Sequence, residues 1–301
     1  MGRESLDFRD YLKPDVVSRL GRMDLVARLV VEGFLTGLHR SPYHGFSVEF
    51  AEYRPYIPGD PLRNVDWKVY GKTDRLYVKE YEEETNLKAY LLLDQSGSMG
   101  FAHGEISKLE YAKYLSAALC YLLLRQRDAV GLAVFDGEIR SYLPPRSVPS
   151  YLYELLRHLP PSPSGGDTRI GPALHSLAER ISRRGLVIVL SDLMDDPEEV
   201  LSGLKHLRHR KHEVIVFHVL DPAERSFPFE DPAVFQGMEG EGEVPLEPWH
   251  VRAEYRRKVK EWTGLLEGEC REHGIDYALL ETSQPFDVAL LRYLARRRKM
   301  G

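Results

Sequence analysis

Five short runs along the chain are apolar at nearly every position: 87–93 (LKAYLLL), 130–135 (VGLAVF), 186–190 (LVIVL), 214–220 (VIVFHVL) and 276–280 (DYALL). A strand with one wet face alternates apolar and polar residues, so a near-continuous run predicts a strand buried on both faces. Between the runs the apolar residues change to helical spacing. Leu109, Ala112, Leu115, Leu119 and Leu122 recur at that spacing, and similar patterns cover 170–183, 196–210, 250–272 and 286–298. This alternation predicts an α/β fold, a doubly wound and mostly parallel sheet flanked by helices. Residues 137–144 (GEIRSYLP) read as a hairpin partner for the strand before them, so one strand is expected to run antiparallel.

Residues 1–86 break the rhythm. A helical stretch of about 14–35 leads into a segment rich in β-branched and aromatic residues, with turn signals at Pro58, Gly59 and Asp60. We read 1–86 as a small N-terminal α+β or mostly β region and 87–301 as the sheet domain. The segment 223–248, rich in acids, proline and glycine, reads as an exposed excursion between a strand and a helix.

Composition narrows the partners. With 41 Lys and Arg against 46 Asp and Glu, the net charge is −5, and no basic surface is implied for neutralising nucleic-acid phosphates. No run approaches the roughly 20 apolar residues that span a bilayer, and the N-terminus lacks a leader-like apolar core. The expectation is a cytoplasmic protein with no membrane span. Cys120 and Cys270 both fall in helical patterns and read as reduced core thiols.

Three of the predicted strands run out into aspartate: Asp94, Asp192 and Asp221. In open α/β sheets ligands bind beyond the carboxyl ends of the strands, where these residues would lie. Asp94, Ser96 and Ser98 offer a carboxylate and two hydroxyls at alternate positions of one loop, and Thr168 and Asp192 offer more oxygens at two other strand–helix junctions. Hard divalent cations, Mg²⁺ above all and Mn²⁺ or Ca²⁺ as alternatives, take such ligands. A strand-ending turn with a helix cap would use the same residue types, but it would not need all three loops.

The set Asp94-x-Ser96-x-Ser98, Thr168 and Asp192 resembles the metal-ion-dependent adhesion site of von Willebrand factor type A domains. The resemblance implies that the serines and Thr168 bind Mg²⁺ directly or through water, and that the aspartates do so largely through water. It also implies that an acidic side chain of a protein partner completes the coordination. Two departures stand out: Leu193 follows Asp192 where glycine is common, and Asp167 precedes Thr168. Upstream, the stretch around Arg54, Tyr56, Gly59, Asp60, Arg63, Asp66 and Trp67 is similar to the signature of the bacterial domain-of-unknown-function 58 family. That kinship implies work beside a MoxR-type AAA+ ATPase, as an adaptor or co-chaperone in assembly, maturation or stress response.

Read from the residues alone, Arg54, Asp60, Arg63 and Asp66 form a salt-bridge network at a domain junction, with Trp67 as packing anchor. Asp195, Asp196 and Glu198 read as caps of the helix they precede, and the basic runs 208–212 and 296–299 as solvated helix ends. A metal-dependent hydrolase built on the same acids is the alternative function. It lacks a Gly-x-Ser-x-Gly elbow and a phosphate loop, so the chain is expected not to be an enzyme. A purely structural ion is a third reading.

Overall fold

The computed structural model describes residues 23–28, 30–31, 53–55, 70–71, 77–79, 87–164, 169–238 and 242–300. Its centre is a six-stranded sheet made of β3 (Lys88–Asp94), β4 (Ala129–Phe135), β5 (Ile139–Arg146), β6 (Leu186–Ser191), β7 (Glu213–Leu220) and β10 (Asp276–Glu281). The strand order is β10-β7-β6-β3-β4-β5. Every neighbouring pair is parallel except β4 with β5, which is antiparallel as the hairpin reading expects. Outside this sheet are two antiparallel pairs, β1 (Tyr53–Pro55) with β2 (Tyr77–Lys79) and β8 (Ala233–Gln236) with β9 (Glu243–Leu246).

The apolar runs are explained by the two cores they serve. Successive side chains of a strand point to opposite faces. Ala89, Leu91 and Leu93 of β3 enter one core with Val130, Leu132, Val134, Leu186, Ile188 and Leu190. Tyr90 and Leu92 enter the other with Ala133, Phe135, Val187 and Val189. Helix α1 (Lys108–Arg125), α2 (Tyr151–Arg157) and α7 (Asp287–Met300) cover the first face. Helix α3 (Ile170–Arg180), α4 (Pro197–His209) and α6 (Pro248–Glu272) cover the second. A short helix, α5 (Pro222–Ser226), follows β7. Leu91, Leu92 and Leu93 are all fully buried, each worth about 1.5–3 kcal/mol by area. The architecture is the expected one. From the N-terminal region, helical residues Val26, Val30 and Val31 are buried in the first core.

Local chemistry sets the helix ends. Ser107 caps α1 in a capping box: its Oγ accepts from the Glu110 amide at 3.1 Å, and the Glu110 carboxylate accepts from the Ser107 amide at 3.4 Å. Helices α3 and α4 pack closely. A Cβ on Gly203 of α4 would lie 2.7 Å from the Leu174 Cβ of α3, so glycine is what permits this approach. Cys120 and Cys270 are free and buried, as the composition indicates.

Candidate metal centre at the carboxyl edge of the sheet

Strand register brings the first and third loops together. In the parallel pair of β3 and β6, Leu93 stands opposite Leu190, so Asp94 and Ser191 emerge from the sheet at the same level. This junction is also where the chain reverses its direction of winding, since β4 lies on one side of β3 and β6 on the other. Asp94 Oδ2 accepts a hydrogen bond from Ser191 Oγ at 2.5 Å, and Oδ1 accepts from the Ser96 amide at 2.8 Å. The second bond closes an Asx turn that curls the loop back over the strand end. Ser96 Oγ and Ser98 Oγ are then 3.1 Å apart. Asp94, Ser96 and Asp192 are fully buried, and Ser98 nearly so.

The loop after β6 is wound tightly. The Leu193 amide donates to Ser191 Oγ at 2.9 Å, and the Met194 amide to Asp192 Oδ1 at 3.2 Å. Leu193 itself has φ of +53°, in the left-handed region that favours glycine, and its side chain is fully buried. A bulky residue there stores about 1–2 kcal/mol of strain, held by the packing of that side chain.

Asp192 has a partner that sequence reasoning missed. Lys108, the first residue of α1, extends through the interior to donate to Asp192 Oδ2 at 2.7 Å and to Glu224 Oε1 at 2.5 Å. Burial alone would pull its ammonium pKa down, but the two carboxylates outweigh burial and raise it, so the lysine stays charged. Its position carried a signal: a cation in the first turn of a helix opposes the macrodipole and calls for acids nearby. Glu224, read as part of an exposed excursion, is nearly buried. Its other oxygen accepts from the Asp221 amide at 2.7 Å in the capping box of α5. Asp221, the third strand-ending aspartate, accepts from the His103 amide at 3.0 Å and so ties β7 to the loop before α1.

Other expectations are corrected or lie outside the described residues. Asp196 caps its own helix, accepting from the Glu198 amide at 2.8 Å. Asp195 instead accepts from the Ile170 amide at 2.7 Å, and so caps α3 from a different loop. The run 208–212 is not wholly solvated, since His212 is buried. Thr168, Asp167, Tyr56, Gly59, Asp60, Arg63, Asp66 and Trp67 lie outside the described residues, Arg54 is placed only as part of β1, and the side chains of 296–299 are not described.

The donors present fit a hard divalent cation. Asp94, Ser96 and Ser98 present oxygens alone. The described partners of Asp94 are hydroxyl and amide donors rather than a cationic side chain. Burial first, then the Asp192 charge, push its carboxyl pKa up to about 7. Asp192 and Glu224 are two buried acids on the ammonium of Lys108, and Asp94 is a third buried acid that feels the Asp192 charge. Among the described residues no group of three His, Cys, Asp or Glu side chains gathers as a metal cluster, so any ion here would depend on hydroxyl and water ligands.

Comparison with known proteins places the chain. The family model DUF58, a protein of unknown function, matches residues 52–263. The chain belongs to the DUF58 family. This DUF58 chain is 25% identical over 291 residues to the uncharacterized protein Rv1480 of Mycobacterium tuberculosis, covering 95% of this chain and 91% of that one. Similar solved structures include BatB from Bacteroides thetaiotaomicron, 20% identical with a TM-score of 0.48, over 71% of this chain and 100% of that one. An aerotolerance-related membrane protein from Bacteroides fragilis is also similar, at 20% identity and TM-score 0.48, over 70% and 99%. So is the VWA domain of SpRpn10, at 12% identity and TM-score 0.40, over 69% and 94%. The DUF58 chain has a doubly wound, mostly parallel α/β fold, on its own strand order. The cytoplasmic expectation does not stand: it rested on the lack of an apolar span, and a similar solved chain is described as a membrane protein. Among the described residues no helix is long and apolar enough to cross a membrane, and that fact assigns no compartment.

Proposed function

We propose that the carboxyl edge of β3 and β6 binds Mg²⁺ and, through it, an acidic side chain of a protein partner. The observation that carries this reading is the convergence of Asp94, Ser96 and Ser98 with Ser191 and Asp192 at the point where the sheet reverses its winding. In this reading Ser96, Ser98 and Thr168 hold the ion, and Asp94 and Asp192 act largely through water. Mn²⁺ or Ca²⁺ would serve in its place. The ion supplies a Lewis-acidic site for a carboxylate. The chain's own residues hold the donors in place, since the Asx turn at Asp94 and the Ser191 hydroxyl fix the first loop before any ion arrives. The site binds and does not catalyse, and we place the protein as an adaptor or co-chaperone beside a MoxR-type AAA+ ATPase.

Calorimetric titration of Mg²⁺ and Mn²⁺ into chelator-treated protein tests the site. Saturable binding is expected in the wild type, with loss in Asp94→Ala and in Thr168→Ala. Binding that survives both substitutions would remove the site from these loops. For the partner, co-purification of the ATPase in Mg²⁺ that vanishes in chelator and in Asp94→Ala is the expected result, and capture indifferent to both would refute the metal-bridged mode.

A further inference from the structure

Lys108 is the one fully buried lysine or arginine among the described residues, and it stands where a cation is least welcome. The first turn of α1 carries the positive end of the helix dipole, and the ammonium adds to that charge. Two buried acids compensate, Asp192 at 2.7 Å and Glu224 at 2.5 Å. Both oxygens of Asp192 are thereby engaged, Oδ2 with the ammonium and Oδ1 with the Met194 amide. Glu224 is fixed independently, because its second oxygen closes the capping box of α5. A water that linked an ion to Asp192 would have to share that carboxylate with a cation already bound there.

We propose that Lys108 is a tethered counter-ion that competes with the divalent ion for Asp192 and makes metal binding depend on the partner's carboxylate. This rests on the metal-site reading. The ammonium and the ion repel each other through a low-dielectric interior, where like charges are poorly screened. The ammonium therefore lowers the affinity of the site for metal alone. A partner's acid adds the missing negative charge, so metal and partner bind cooperatively, each raising the affinity for the other. Glu224 tunes the effect. While it is charged it draws part of the ammonium's field away from Asp192, and without that charge Lys108 acts on Asp192 alone.

The two halves of the pair thus have opposite signs, which a merely structural role does not produce. In titrations with Mg²⁺ alone, Lys108→Met is expected to bind at least about tenfold more tightly than wild type, a change of about 1.4 kcal/mol. Glu224→Gln is expected to bind about threefold or more weakly, by the same interaction taken in the other direction. The double variant Lys108→Met/Glu224→Gln removes the ion pair as a unit, which buried pairs tolerate better than loss of one member. It is expected to bind more tightly than wild type, and it decides the matter if Lys108→Met does not fold. Losing the tighter binding when Asp94→Ala is added locates the gain at this site, while keeping it would overturn the proposal. Wild-type binding with no gain in Lys108→Met or in the double variant overturns the proposal and leaves the site intact. No Mg²⁺ uptake by any variant overturns the site reading itself, and this proposal with it.

Discussion

Asp94→Asn separates the cost of the site from its use. The Asp94 carboxyl is fully buried, and burial together with the Asp192 charge raises its pKa from an ordinary 3.8 to about 7. For an acid raised in the folded state, the native protein holds a proton that the unfolded chain has released. Stability therefore falls as pH rises through the window from 3.8 to about 7, and the full cost is present above it. That cost is roughly 2 kcal/mol at pH 5 and roughly 4 kcal/mol at pH 8, a rise of roughly 2 kcal/mol or somewhat more. Asparagine carries no charge to strand. Its amide oxygen can still accept from the Ser96 amide, but it cannot serve both that donor and the Ser191 hydroxyl as a carboxylate does, a loss of about 1 kcal/mol. In chelator, the variant should be more stable than wild type at pH 8 by roughly 2–3 kcal/mol, and close to it at pH 5. Urea unfolding at the two pH values measures the gap. Added Mg²⁺ at pH 8 should raise the wild-type midpoint and leave that of the variant unchanged. A gap that is the same at pH 5 and pH 8 would refute the reasoning, because it would mean that Asp94 is not ionised against its surroundings.

Two further outcomes follow from the helices that frame the site. Gly203→Ala forces a methyl to within 2.7 Å of the Leu174 Cβ, and a loss of about 1–3 kcal/mol is expected in the same unfolding assay; an unchanged midpoint would mean that α3 and α4 separate freely. Asp195→Ala leaves the start of α3 without the carboxylate that accepts from the Ile170 amide, at a cost of about 1 kcal/mol, and amide exchange at Ile170 should quicken.

The sequence makes legible whatever is written in neighbouring positions. Leu91, Leu92 and Leu93 declare a two-faced strand because consecutive residues serve opposite cores. Asp94, Ser96 and Ser98 declare a cluster of oxygens because one short turn gathers all three. Lys108 and Glu224 are 116 positions apart, and no periodicity links residues that meet only through the order of the strands. Asp195 shows the same limit: an acid before a helix is taken for the cap of that helix, yet the close packing of α3 and α4 hands it to the other. Leu193 conceals its backbone, since a leucine by itself does not announce a positive φ, which here its buried side chain and its amide bond to Ser191 Oγ hold in place.

The outer strand β5 has a consequence for how the molecule meets its surroundings. It carries Pro144 and Pro145 side by side, and its pairing with β4 slips between Val130 and Leu132, where a Cβ on Gly131 would lie 2.7 Å from the Leu143 carbonyl oxygen. Successive residues of a strand aim their amides to opposite sides, so one proline of the pair removes a donor from the margin that no described strand pairs, and the bulge bends what remains. A foreign strand finds no unbroken row of donors there to continue the sheet. This margin is thus guarded against templated polymerisation.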